Sequence, residues 1–267
     1  MKRIAALTGS MLLLGALACA QETGNRIVVP NKNGVRPRLI EIRSTNGSIA
    51  VKAGTGSEVV LDPAPSDTRR REETREGMHR IDLPWRGGVD VEQENDKITI
   101  RSSNSNSSIN LTVPANIALS LRCTNGGITV DGIHGEVDAD STNGSIHLNN
   151  ISGTVVANTR NGGLHVTMDQ VDPGKPMSFS SYNSKVDVTL PADLKATVKM
   201  KTEQGDIWSD FDIKVTGTSQ PVAEKTDSGD GKMRLRFDQA VNGTINGGGT
   251  QITFSSYNGD ILIHKKK

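Results

Sequence analysis

Cysteine is almost missing from this chain: 267 residues contain Cys19 and Cys123 and no other. A chain cut after Ala20 would keep Cys123 alone, which excludes an intrachain disulfide and leaves the fold to its core and its backbone ladders. Aromatic residues are scarce at 3%, too few for a sandwich core built on large rings. No charge of one sign predominates, with 31 basic and 30 acidic side chains. That balance argues against nucleic acid as a general partner. The one concentrated basic run, Arg69-Arg70-Arg71, is followed at once by Glu72 and Glu73 and reads as a solvated loop.

Long apolar runs are also lacking, with one exception. Residues 4–18 carry no charge, follow Lys2 and Arg3, and lead into Ala18-Cys19-Ala20. This pattern predicts a signal peptide over residues 1–20, too short for a membrane span. Ala16-Leu17-Ala18-Cys19 also resembles a lipobox, with Ala16 where Leu is usual, so Cys19 is a candidate for lipidation. The expectation is an exported protein of the periplasm, cell surface or extracellular space, held to a membrane only if Cys19 carries lipid. Cleavage removes Lys2 and Arg3 and no acid, leaving 29 basic and 30 acidic side chains.

What the chain does have is glycine, 28 residues of it, and exact repetition. STNGSI occurs at 44–49 and at 141–146; FSSYN occurs at 179–183 and at 254–258. Asn125, Asn143 and Asn161 stand 18 residues apart, in the rows SLRCTNGGITV, DADSTNGSIHL and VANTRNGGLHV. In that register Leu119, Val137 and Val155 align, as do Ile128, Ile146 and Leu164. Each row is an alternating strand, a sharp turn and another alternating strand. Further rows centre on Asn46, Asn183, Gln204 and Asn258.

A period of about 18–22 residues is the mark of a solenoid, in which rows that cannot bury an apolar face alone share one core when stacked. The predicted fold is therefore all-β, a parallel β-solenoid (β-helix) with about 18–22 residues per rung and Asn-Gly corners. Glycine after Asn is expected to supply a positive φ at the corner, and equivalent Asn side chains to form a ladder. Asn-Gly is also a strong hairpin signal, so an antiparallel meander is the rival. Two-residue hairpins would not hold an 18-residue register over three rows, which favours the solenoid.

The organisation read from the sequence is a signal peptide over 1–20, a polar leader over 21–35, and a solenoid over 36–267. Loop insertions are expected near 62–90, marked by Pro63, Pro65 and Pro84, and near 215–232. The closing His264-Lys265-Lys266-Lys267 reads as a solvated end that discourages edge pairing. The recurring Asn-Gly-[Ser/Asp/Gly]-Ile corners, the VPA and LPA strands before them and the closing YNGDILI resemble the bacterial putative-adhesin β-solenoid family over roughly residues 38–267. That resemblance implies a parallel β-solenoid at the cell envelope or surface, in a family of domains of unknown function. It brings no catalytic residues to transfer.

Candidate chemistry is sparse. His147 and His165 share an outward column, with Asp187 on the next row, so the three are candidate metal ligands. Tyr182 and Tyr257 each precede a corner Asn and point outward, as candidate contacts for a sugar or a partner. Cys123 aligns with Ser141 and Thr159 and reads as a small buried thiol. No catalytic residue and no cofactor is assigned, and the expected role is non-enzymatic binding or scaffolding of an envelope glycan or a surface protein. The alternative is a carbohydrate-active enzyme, a polysaccharide lyase or glycosidase on a parallel β-helix, for which Asp138 and Asp140 are the nearest carboxylate pair.

Overall fold

The structure, a computed structural model, describes residues 26–29, 37–62, 89–102, 108–218, 226–228, 232–234 and 240–267. The expected signal peptide, Cys19 and most of the expected leader and first insertion fall outside these residues. Among the described residues there is no helix long and apolar enough to cross a membrane.

Twenty strands join in one all-β sheet, mainly parallel, that curls into two facing walls. Alternation decides which side chains meet between the walls. In Ile109–Pro114 and Met177–Ser181 every second residue is buried, as a pleated strand with one apolar face requires. The inward residues of both walls merge into one continuous core of Ile, Val and Leu with few rings.

The repeat units cross the first wall and return along the second, turning at an Asn in most described corners and at Gln204 in unit 196–209. Leu119, Val137 and Val155 lie side by side in the first wall. Ile128, Ile146 and Leu164 do so in the second. Every one of these six is at most 1% exposed, so the columns read from the sequence are the core. The fold is thus solenoid-like, with mixed pairing at its ends. Val89–Glu94 pairs antiparallel to Lys97–Ser102, and Val241–Ile245 antiparallel to Ala196–Thr202.

The order of the units along the stack departs from their order in the sequence. Leu39–Asn46 lies between Lys97–Ser102 and Ala118–Asn125, so unit 39–54 is overlain by unit 97–114 on its outer side. At the other end Thr250–Ser256 lies between Met177–Ser181 and Ala196–Thr202. The last unit of the chain is therefore one step inside the stack, and unit 196–209 closes it. Tail residues His264 and Lys265 belong to Ile261–Lys265, an interior strand between Val186–Leu190 and Ile207–Ser209. Ile207–Ser209 pairs with this strand through Ile263, and Asp210 lies beside His264 and Lys265. The leader contains a strand, Ile27–Val29, paired with Val59–Asp62. The second insertion contains Lys214–Thr218 and a separate hairpin of Thr226–Ser228 with Lys232–Arg234.

Candidate functional site

The corners carry the structure's most regular chemistry. Asn125 Nδ2 donates to Asn46 Oδ1, Asn143 to Asn125 and Asn161 to Asn143, each at 2.8 Å. Asn183 donates to Asn161 at 2.6 Å and Asn258 to Asn183 at 2.9 Å. All five bonds point the same way, so the ladder is polarised and each link strengthens its neighbour. Two residues before each Asn lies a second column, buried and hydroxyl-bearing. Ser141 donates to the Gly126 carbonyl at 3.1 Å, Thr159 to Gly144 at 2.9 Å and Ser181 to Gly162 at 3.0 Å. Cys123 takes the same place, its thiol 3.3 Å from the Gly47 carbonyl. Its surroundings desolvate it and push its pKa up, which suits a structural thiol rather than a nucleophile.

The corner glycines have a different cause from the one expected. Gly47 has φ 122°, but Gly126, Gly144, Gly162, Gly205 and Gly259 do not have a positive φ. Close stacking requires them instead. A Cβ on Gly126 would lie 2.6 Å from the Gly47 carbonyl oxygen, and one on Gly144 or Gly162 would collide with the corner carbonyl of the unit below.

Beside the corners the outer face of the first wall forms an open groove of about 430 Å³. Its floor is a column running through Asp140, Asn158, Ser180, Ser255 and Lys201, one residue from each of five successive units. Ser180 and Ser255 are small, and this makes the hollow. Tyr182 and Tyr257 form its wall. Their rings stack at 4.7 Å between centroids and 6° between planes. Both tyrosines lie outside the core, and the structure sets them on neighbouring units, which the sequence did not indicate. The faces they turn to each other are covered, so a ligand in the groove meets ring edges and hydroxyls. Arg160 stands at one end of this wall and Glu203 at the other, where Lys201 Nζ lies 3.3 Å from Glu203 Oε1. A second hollow of about 540 Å³, lined by Asp169, Pro173, Pro191 and Asp193, lies at the return turns.

The candidate metal ligands do come together on the second wall. His147 and His165 are register partners with ring centroids 6.1 Å apart, and His165 is the register partner of Asp187. His165 Nδ1 is 3.7 Å from Asp187 Oδ2. Asp187 is shared, however, with Lys185 at 3.3 Å and His264 Nε2 at 3.5 Å. Among the described residues no group of three or more His, Cys, Asp or Glu is arranged to hold a metal ion. Lys185 and the imidazoles surround the Asp187 carboxylate, and the contacts run on through His264 Nδ1 to Asp210 at 3.2 Å. Asp210 has its pKa lowered, by the backbone N–H of Lys265 first and by His264 second. Sequence reading missed His264 and Asp210 because it did not place unit 250–265 beside unit 177–190.

Asp138 and Asp140 flank Ala139 and both face out. Asp138 is bound by Arg122, whose pKa the contact raises, and Asp140 accepts from Asn158 at 3.1 Å. Both carboxylates are thus engaged within the outer face.

A model of the family described as Toastrack DUF4097 matches residues 27–246. Unit 250–265 lies beyond that span although it is built into the stack. Among solved structures, a "putative cell adhesion protein" from Clostridium sporogenes is similar at 10% identity, over 90% of this chain and 98% of that one, with a TM-score of 0.46. No curated protein matches the chain.

Proposed function

We propose a binding role for this chain, which belongs to the Toastrack DUF4097 family: it is an exported, non-enzymatic, adhesin-like protein of the cell envelope. At finer grain the fold is a parallel β-solenoid with rungs of about 18–22 residues turning at Asn-Gly corners, a reading supported by the 18-residue offset of the paired strands. The observation that carries the proposal is the groove along the corners. It crosses five units, a run of about 19 Å at the usual strand spacing. It offers hydroxyl, amide and charged groups at that interval beside a tyrosine wall. An extended polar chain, such as an envelope glycan, fits this geometry better than a compact ligand, which needs enclosure.

The carboxylates support a binding reading over a hydrolytic one. A glycosidase needs one carboxyl free to give a proton and another free to attack or to activate water. Here Arg122 and Asn158 hold the two nearest candidates. Binding is tested by titrating envelope polysaccharide against the wild type and a Ser180→Tyr/Ser255→Tyr variant that fills the groove from outward positions. Saturable binding lost in the variant, without release of reducing ends, is the expected result. Reducing ends released by the wild type and abolished by Asp140→Asn would overturn it. For export, the intact mass of the protein from its native membrane fraction should show either diacylglycerol on Cys19 or a chain starting at Gln21.

A further inference from the structure

Exposed apolar side chains are few, and their placement is uneven. Among the described residues seven large ones are exposed: Ile27, Val28, Val91, Val156, Tyr182, Trp208 and Val215. Five of the seven lie on the outermost strands of the stack. Ile27 and Val28 are on Ile27–Val29, the outermost described strand of the second wall at one end, and Val91 is on Val89–Glu94, the outermost described strand of the first wall at that end. Trp208 is on Ile207–Ser209 and Val215 on Lys214–Thr218, the outermost described strands of the two walls at the other end. Trp208 is 59% and Val215 61% exposed. Stacked repeats are soluble as monomers when their terminal units present polar outer surfaces, and open edges invite another strand. Both ends depart from that pattern in carrying exposed apolar side chains, although Val89–Glu94 is also acidic.

The two ends are also complementary. In the first wall, Val89–Glu94 carries Asp90, Glu92 and Glu94 and no cation, while Lys214–Thr218 carries Lys214 and no acid. In the second wall the signs reverse. Arg26, already paired with Asp62, precedes Ile27 at the first end, whereas Asp206 and Asp210 flank Ile207–Ser209 at the other. The steps differ too. At the first end the second wall reaches one strand further, through Val59–Asp62 to Ile27–Val29. At the other end the first wall reaches two strands further, through Val241–Ile245 to Lys214–Thr218. With units running in one sense, Lys214–Thr218 of one copy meets Val89–Glu94 of the next antiparallel, with Lys214 among the acids. Opposite charges across such a pair are favourable and like charges are not.

We propose that copies of this chain associate head to tail through these ends, so that the first wall runs on from one molecule into the next. Unlike ends make the contact heterologous, and a heterologous contact that does not close into a ring gives an open filament. The contact uses none of the residues that line the groove, so it stands or falls apart from the binding role.

Two variants of the full chain test this, Ile27→Lys/Val91→Lys at one end and Trp208→Lys/Val215→Lys at the other. All four positions are exposed, and circular dichroism checks that the β fold is retained. In sedimentation velocity the wild type is expected to grow into elongated species as concentration rises. Each variant alone is expected to be monomeric, and an equimolar mixture to give one heterodimer and nothing larger. A wild type that stays monomeric at millimolar concentration would overturn the proposal. Dimers of either variant alone would overturn it as well, since they require like ends to meet.

Discussion

Single residues at the corners follow sharp rules because two units approach each other closely there. Gly144→Ala puts a methyl group against the Gly126 carbonyl, and chemical denaturation should show a loss of about 3 kcal/mol, since a packed backbone cannot give way. Gly217→Ala is the control. Nothing lies within 4 Å of its added Cβ and its φ is not positive, so stability should stay within about 1 kcal/mol of wild type. Glu41 behaves differently again. It lies at most 11% exposed between Lys97 and Arg43, and their hydrogen bonds, that of Lys97 first, lower its pKa. A lowered folded-state pKa gives stability that is fully present above the unfolded value and is lost as pH falls through the folded one. Glu41→Gln should therefore cost about 1–3 kcal/mol at pH 7. Denaturation curves of wild type and variant should converge as the medium is acidified below pH 4.5, the ordinary value of this group.

At the scale of the strand and corner, the polarity of the asparagine ladder has measurable consequences. Among the described residues Asn46 only accepts and Asn258 only donates in the ladder, while Asn143 does both. An Asp at 46 keeps its acceptor and should be tolerated. Asn143→Asp removes a donor from the middle of the chain of bonds and should cost about 1–3 kcal/mol, read from denaturation midpoints. A ladder running the other way would reverse the ranking of Asn46→Asp and Asn258→Asp. Cys123→Ser replaces a thiol by the hydroxyl that Ser141, Thr159 and Ser181 supply at the same place, and should be within about 1 kcal/mol of wild type. Much at this scale was legible in the sequence. The 18-residue spacing aligned Leu119 with Val137 and Val155 because stacking preserves register, and alternation named their inward faces. The role of Gly126, Gly144 and Gly162 was misread, because Asn-Gly signals a positive φ in hairpins while here the neighbouring unit, invisible to local spacing, is what excludes a side chain. The hydroxyl column was visible as an alignment, but its acceptors lie on the next unit and no spacing reveals them.

For the whole molecule, periodicity gives register but not neighbours. Every unit shares one template, so nothing local says that 250–265 enters between 177–190 and 196–209. The one clue was the repeated FSSYN. Its two copies are adjacent in space, with Phe179 over Phe254 at 5.4 Å and Tyr182 over Tyr257 at 4.7 Å. The same misplacement hid His264 from the Asp187 cluster and left Ser180 and Ser255 unrecognised as one groove floor. The groove, the tyrosine wall and the interior position of the tail all rest on this inserted unit. It is tested most directly by cross-linking in a chain whose Cys19 and Cys123 are replaced by Ser. Ser180 and Ser255 are register partners, as are Ser255 and Lys201. A disulfide bridges Cα atoms about 4.4–6.8 Å apart and cannot span two strand spacings. Ser180→Cys/Ser255→Cys should oxidise to an intramolecular disulfide, seen by intact mass and non-reducing electrophoresis, while Ser180→Cys/Lys201→Cys should remain reduced. A bridge in the second pair and none in the first would mean that the units stack in the order of the sequence, and would contradict the account.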